Sequence, residues 1–448
     1  MPVSMIDSAI FRDFFGTEAM RAQFSDEGML SAYCRVEAAL AIVQGRLGII
    51  PAEAASAIAA SAKLENLDMS EIKAQTEIVG YPILPLVRAI GKACPDRTGE
   101  YAHWGATTQD IMDSGMALQL QGALKLVGQD LDAIAAALAK LAADHSDTIM
   151  AGRTHLQHAL PVTFGYKAGV WLSAVDRHRE RLTQLRPRVE VGQFAGAAGT
   201  LASLGNDGIA VSDALMQELG LGQPTMPWHV ARDGVAEAVN FLGLVSGTLS
   251  KIATDIMLMM ATETGEAFEP FVSGRGGSST MPQKRNPISC ELILGAGKIV
   301  RQHAAAVMDA MAADFERATG PWHVEWIAVP EAFVLAAGAL NQSRFMLEGL
   351  QVQPDRMRRN LAMTGGLIVS EAVMMGLAPA LGRQTAHDVV YDACRLANTE
   401  GLSLLEALQR SPEVMDRLEV AELESLCDPM NYLGQSREML DRFLAGRT

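Results

Sequence analysis

The stretch 120–141, LQGALKLVGQDLDAIAAALAKL, decides the fold. Within it Leu120, Leu124, Val127, Leu131, Ile134, Leu138 and Leu141 recur at intervals of 4, 3, 4, 3, 4 and 3 residues. That rhythm places one apolar stripe along a long helix. Two further segments repeat it. Phe164, Ala168, Trp171, Val175, His178, Leu182 and Leu185 form the second, which Pro187 is expected to end. Leu242, Val245, Leu249, Ile252, Ile256 and Met259 form the third. Alternation of threes and fours favours shallow-angle packing of helices into a bundle. Segments 288–312 and 329–349, rich in Ala and Gly, are expected to add helices that approach their neighbours closely. Alternating β-branched runs are nearly absent. The sequence therefore predicts an all-α fold in three regions: a mixed helical part over 1–110, a central long-helix bundle over 111–350, and a smaller helical part over 351–448. Seams this long and apolar call for partners, so a homo-oligomer sharing them is expected.

Composition narrows the function. The 448 residues carry 37 Lys and Arg against 52 Asp and Glu, a net charge of −15. An acidic chain without a basic stripe does not suit nucleic acid or an anionic membrane surface. The five cysteines (Cys34, Cys94, Cys290, Cys394, Cys427) are scattered and include no CxxC pair, which points to reduced thiols in a cytoplasm. The first residues, MPVSMIDSAIFRDFF, lack the basic-then-apolar pattern of a secretory signal. No apolar run of about 18 residues stands out, so no membrane span is expected.

Four segments concentrate chemistry. The first is 276–287, GGSSTMPQKRNP, with Ser278, Ser279, Lys284, Arg285 and Asn286. Glycines permit close backbone approach to a ligand, and successive N–H groups cradle anions. Lys284 and Arg285 supply positive charge that the chain as a whole lacks. From the residues alone, a solvated surface loop is an equally good reading. The second segment, 152–165, GRTHLQHALPVTFG, brings Thr154, His155, Gln157 and His158 to the start of the second long helix. A histidine there exchanges protons near neutral pH, although capping or packing is the commoner role. The third, 101–115, YAHWGATTQDIMDSG, has Thr107, Thr108 and Asp110 where a helix cap is expected. The same N-terminus attracts a carboxylate. The fourth, 315–326, FERATGPWHVEW, holds Arg317, His323 and two tryptophans, which read equally well as core. No HExxH, GxSxG or GxGxxG pattern is present, so neither a metal site nor a nucleotide fold is expected.

Together the segments resemble the fumarase/aspartase superfamily, in the family's own order. Its GSSxMPxKxNP signature is matched by Gly277, Ser278, Ser279, Met281, Pro282, Lys284, Asn286 and Pro287; its other two regions are matched by HWGATTQD (103–110) and GRTHLQ (152–157). Within the superfamily the sequence is most similar to the 3-carboxy-cis,cis-muconate cycloisomerases, through GPWHVEW (320–326), RMRRNL (356–361) and DPMNYLGQS (428–436). Adenylosuccinate lyases carry a pattern like ERDxSxSSxER here. This chain keeps Glu316 and Arg317 but replaces the phosphate-holding serines with Gly320, Trp322 and His323, and the final arginine with Trp326. Some bacterial carboxymuconate cycloisomerases replace the histidine of the second region and lack a glutamate after the signature, whereas this chain keeps both, as His155 and Glu291.

The resemblance implies an intramolecular addition of a carboxylate to a double bond of a 3-carboxy- or 3-sulfomuconate, giving a lactone through an aci-carboxylate intermediate. It implies Ser278 as the proton-transfer residue, His155 oriented by Glu291 as a second acid/base or an orienting group, and Lys284 as electrostatic support. His103, Thr107, Thr108, Thr154, Gln157, Ser279, Arg285, Asn286 and Arg317 would bind substrate. No metal or organic cofactor is implied. The family assembles as homotetramers whose sites are shared between subunits. Two other functions stay open at this stage: a fumarate-forming lyase of the adenylosuccinate or argininosuccinate type, and a non-catalytic protein on a lyase scaffold.

Overall fold

A computed structural model describes residues 4–317 and 319–447. It is 69% helical, an all-α protein with two small two-stranded sheets among the described residues. The three periodic stretches lie in helices Thr108–Asp144, Phe164–Val189 and Asp233–Met260. Every residue of the three stripes is buried. The stripes are thus covered within one chain, and the apolarity that suggested an oligomer is satisfied without one. The case for assembly passes to other faces of the long helices, where Leu244, Ile299, Met308 and Ile327 lie exposed.

Helix Phe164–Val189 continues two residues past Pro187. A proline in the last turn forfeits few backbone bonds, so it does not stop the helix where expected. The expected helix over 329–349 is part of a longer one, Pro321–Glu348, which ends a residue earlier than expected and opens on a proline whose missing N–H is no loss at that position. Segment 288–312 is helical over Ile288–Asp309. Helices Asp233–Met260 and Pro321–Glu348 reach a mean hydropathy of 1.3 over 18 residues, long and apolar enough by composition to cross a bilayer. The sequence reading had found no such run. In those windows, 50% and 67% of the residues are already buried by the chain itself.

The residues group into two compact units. The first comprises 1–132, 177–250 and 292–342; the second comprises 133–176, 251–291 and 343–448. The first has a core built from helix Asp26–Arg46 (Leu30, Val36, Leu40, Val43) with Ile58, Leu86, Ile90, Ile111 and Leu215. The second packs strand residues Ile149 and Ala151 against Val369, Val373, Leu377, Leu404 and Leu408. The five cysteines form no disulfide.

His178, on the second stripe, is an exception among apolar neighbours. Its Nε2 lies 2.8 Å from Thr248 Oγ1. Burial, then Arg181 and Arg177, push its pKa down to about 4. The ring is therefore neutral in the folded protein and must charge on unfolding in acid. Its contribution is present above the ordinary histidine pKa near 6.5 and is lost as pH falls toward about 4, some 3 kcal/mol in all. His178→Gln is expected to shift the acid-unfolding midpoint to lower pH, as followed by circular dichroism. An unchanged midpoint would exclude His178 as an acid trigger.

Candidate active site

Each unit carries its own set of the expected site residues. In the first unit, the chain enters helix Thr108–Asp144 through a loop closed by Asp110. This carboxylate is fully buried. It accepts from Thr107 N at 3.0 Å, Ala195 N at 2.9 Å and Gly196 N at 2.9 Å, and its Oδ1 lies 2.8 Å from His229 Nε2. Asp110 is more than a cap: it ties the 103–110 loop to the glycine-rich stretch after residue 192. Gly196, with φ of +77°, supplies the left-handed turn there. Arg317 joins the same place, donating to Thr107 Oγ1 at 3.3 Å and to the Ala197 carbonyl at 2.9 Å. Thr107 and Thr108 are half-buried. His103 contacts Glu37, with Nδ1 and Oε1 2.6 Å apart. Thus His103, Thr107, Thr108 and Arg317 gather in one unit.

The tryptophans of the fourth segment stand beside Tyr81. Trp322 stacks on Tyr81 with centroids 5.7 Å apart, and Trp326 meets Trp322 edge-on at 5.1 Å. Trp322 is core, as one of the two sequence readings had it; Trp326 is half-buried and His323 exposed. Behind them lies a buried charge trio. Arg232, 2% exposed, donates to Asp113 at 2.8 and 3.0 Å and to Glu325 at 2.9 Å. Burial pushes both carboxyls up, against the pull of the guanidinium. The Arg232 pKa is raised too, because the two carboxylates outweigh the burial that opposes its charge. The directions agree: two carboxylates share one cation, so it is over-compensated and they are under-compensated. Asp113 and Glu325 also line a pocket of about 870 Å³ with Met29, Met112, Trp322 and Trp326.

In the second unit, GRTH is not a helix start. Strands β1 (Ile149–Thr154) and β2 (Gln157–Thr163) pair antiparallel, and His155 and Leu156 form the two-residue turn. Both have positive φ, +52° and +63°. A turn of this kind suits Asn-Gly, and larger L residues are strained in it. The hairpin puts His155 at an exposed tip between exposed Thr154 and Gln157. Arg153 anchors the base through a two-pronged bond to buried Glu266, at 2.9 and 2.7 Å, and Asn360 donates to the same carboxylate at 2.8 Å. Leu156 is 74% exposed. Leu156→Gly is expected to stabilise the chain by about 1 kcal/mol through relief of left-handed strain. The urea midpoint checks this; a lower midpoint would show that Leu156 is covered in the working protein.

The signature forms a closed loop before helix Ile288–Asp309. Asn286 N donates to the Gly276 carbonyl at 2.9 Å, and Gly277 bridges Arg285. Gly276 has φ of +69°, and a Cβ there would meet the Asn286 carbonyl oxygen at 2.7 Å, so only glycine closes this loop. Ser278 Oγ accepts from Thr280 N at 3.3 Å and Met281 N at 3.1 Å. Buried Glu269 caps the helix, accepting from Ser289 N and Cys290 N at 3.2 and 2.9 Å. Arg285 is committed to bracing. It donates to the Glu269 carbonyl at 2.8 Å and to Gln351 at 3.2 Å, and lies over the Phe268 and Phe271 rings. Ser279 and Lys284 are exposed and Asn286 is half-buried; Glu291, one turn into the helix, is exposed. His155 and Glu291 make no hydrogen bond with each other among the described residues of this chain.

The sequence reading missed Arg153, Glu266, Asn360, Glu37 and Tyr81. Their partners lie far along the chain, where no local spacing signals them. Of these, Arg153 lies within GRTHLQ and Asn360 within RMRRNL, stretches the sequence singles out without assigning either residue a role.

The arrangement offers one unit rich in hydroxyl and cationic groups and a second unit with an N–H-supported serine in a loop that also holds a lysine. Comparison with known proteins places it. A family model described as Lyase matches residues 15–301, and one described as Adenylosuccinate lyase C-terminus matches 366–443. The chain belongs to this lyase family, within the fumarase/aspartase superfamily. It is 46% identical to a 3-carboxy-cis,cis-muconate cycloisomerase of Pseudomonas aeruginosa, over 97% of this chain and 96% of the relative. It is 49% identical to trans-aconitate decarboxylase 1 of Mycosarcoma maydis, over 97% of this chain and 88% of the relative. The crystal structure of 3-carboxy-cis,cis-muconate lactonizing enzyme from Pseudomonas putida superposes with a TM-score of 0.92 at 42% identity, covering 98% of both chains. The chain is accordingly an enzyme of the intramolecular-lyase type.

Proposed function

We propose that this enzyme forms a lactone from a 3-substituted cis,cis-muconate, the substituent being carboxyl or sulfonyl. The single observation that carries the chemistry is the Ser278 oxygen, which accepts two loop N–H groups in a segment that also holds Lys284. Hydrogen bonds to a charged form favour that form, so the same N–H groups support the alkoxide left when Ser278 gives up its proton. One substrate carboxylate adds to the far end of the double bond. Electrons move onto the carboxylate at the near end, forming an aci-carboxylate, and Ser278 protonates the carbon beside it. Lys284 and Asn286 stabilise the charge that develops there. In the reverse direction the alkoxide removes that proton. His155 serves as second acid/base or orienting group, with Glu291 as its carboxylate partner. Thr107, Thr108, Thr154, Gln157, Ser279 and Arg317 bind the remaining anionic groups, and Arg285 holds the loop that presents Lys284.

In keeping with the resemblance, we read the working enzyme as a cytoplasmic homotetramer with sites shared between subunits, taking a small polycarboxylate and neither nucleic acid nor membrane. The exposed, unpartnered His155 hairpin tip and the exposed apolar residues on the long helices support this reading.

A second reading is favoured by the trans-aconitate decarboxylase relative. trans-Aconitate is also an unsaturated tricarboxylate, and its decarboxylation likewise builds negative charge beside a carboxylate. The deciding experiment assays the purified enzyme side by side on 3-carboxymuconate, 3-sulfomuconate and trans-aconitate. Loss of muconate absorbance with lactone formation supports the first reading. Carbon dioxide release from trans-aconitate alone replaces it with the second.

A further inference from the structure

Glu37 sits on the buried side of helix Asp26–Arg46, 1% exposed. Its Oε1 lies 2.6 Å from His103 Nδ1, and its Oε2 has no hydrogen-bond partner. A buried carboxylate with a single partner is costly unless that partner carries the opposite charge. The loop it reaches is held in a strained shape, since His103 has φ of +62°. Strain of this kind persists only where the surroundings impose it. Two turns along the same helix, Gln44 donates to the Trp104 carbonyl at 2.7 Å. One helix therefore fixes both His103 and its neighbour. The His103 side chain keeps 21% of its surface exposed. With Nδ1 taken by Glu37, Nε2–H is the donor left on the ring.

We infer that Glu37 is a positioning residue that holds His103 as an imidazolium and fixes its orientation, so that Nε2–H binds an anionic group of the substrate. This rests on the polycarboxylate reading above. The charges around the ring fit it. Glu37 faces it from one helix and Asp110 from the start of another; Asp110 is itself engaged by three backbone N–H groups and His229, and Arg317 sits at Thr107 in the same loop. Burial opposes protonation of His103, but the charge and hydrogen bond of Glu37, followed by Asp110, outweigh it and raise the pKa. As pH rises and the ring gives up its proton, the site loses a positive charge and holds carboxylates less well. The pair also places a cation where an acidic chain needs one.

The test is calorimetric binding of tricarballylate, a saturated tricarboxylate that cannot react, to the full-length protein from about pH 5.5 to about pH 9. For the wild type, Kd is expected to rise about tenfold through the titration of His103. In Glu37→Gln the break moves to lower pH, while affinity at the acid end equals the wild type. His103→Gln binds weakly throughout and shows no break, and the double variant binds no worse than His103→Gln alone. A Glu37→Gln profile that keeps the wild-type break, or a weakening independent of pH, overturns the inference. If Glu37→Gln does not fold, a break that persists in His103→Gln overturns it instead. Absence of any tricarballylate binding by the wild type removes the polycarboxylate reading and this inference together, an outcome distinct from bound ligand with a flat profile.

Discussion

Ser278→Ala is expected to lower kcat about a thousandfold or more on the accepted substrate while leaving KM and stability nearly unchanged. The size follows from the proposed role, because alanine at this position has no proton to transfer. The small stability effect follows from geometry. The two N–H groups that Ser278 Oγ accepts belong to exposed Thr280 and Met281 and return to water when the oxygen is removed. Loop closure is untouched, because it depends on the Gly276–Asn286 bond, the Arg275–Ser289 contact and the Arg285 braces. Lys284 and Asn286 remain to bind the substrate carboxylate. Steady-state kinetics with a thermal melt alongside checks both halves. Turnover within about tenfold of the wild type would move the proton transfer elsewhere, His155 being the first candidate.

The readable parts of this molecule are those whose meaning is local. A stripe such as Leu120 to Leu141 states its own burial, because a helix that long has one way to hide seven aliphatic side chains. The signature around Ser278 is legible for a similar reason: its glycines, hydroxyls and cations are contiguous. The hairpin 149–163 was not legible. Its turn is His155-Leu156 where Asn-Gly would advertise it, and neither strand alternates β-branched residues. The role proposed for His155 accounts for that composition, since a turn chosen for conformation alone would not carry an imidazole at its tip. Long-range polar pairs were equally silent. His103 and Glu37 are 66 residues apart, and Arg232 finds its two carboxylates 119 residues before and 93 residues after it. The opening charge of −15 is sharpened by these pairs. Arg232, Arg153 and Arg285 are each engaged within the fold, so in the proposed function the anionic substrate falls to Lys284, Arg317 and His103 among the site residues.

Arg232→Met is expected to be the most destabilising single change among the polar residues discussed. It would leave Asp113 and Glu325, both essentially inaccessible, without the guanidinium that each now contacts. Removing one partner of a buried ion pair costs about 3–5 kcal/mol, because the remaining charge stays desolvated. The wild-type directions already show the tension, with burial holding both carboxyls up despite the cation. In the variant the main opposition to that rise is gone, with His229 and Gln109 left to hold Asp113 down. A carboxyl whose folded pKa lies above its unfolded value contributes stability that is present in acid and lost as pH climbs between the two. Arg232→Met should therefore be least impaired near pH 4 and worst at neutrality, a dependence opposite in sign to that of His178. Adding Asp113→Asn and Glu325→Gln removes the stranded charges and is expected to recover most of the loss at neutral pH. Urea midpoints across pH for the single and triple variants decide the matter. A single variant within about 1 kcal/mol of the wild type at pH 7 would mean that water reaches the trio. The pocket it borders makes that route concrete, since both carboxylates line it.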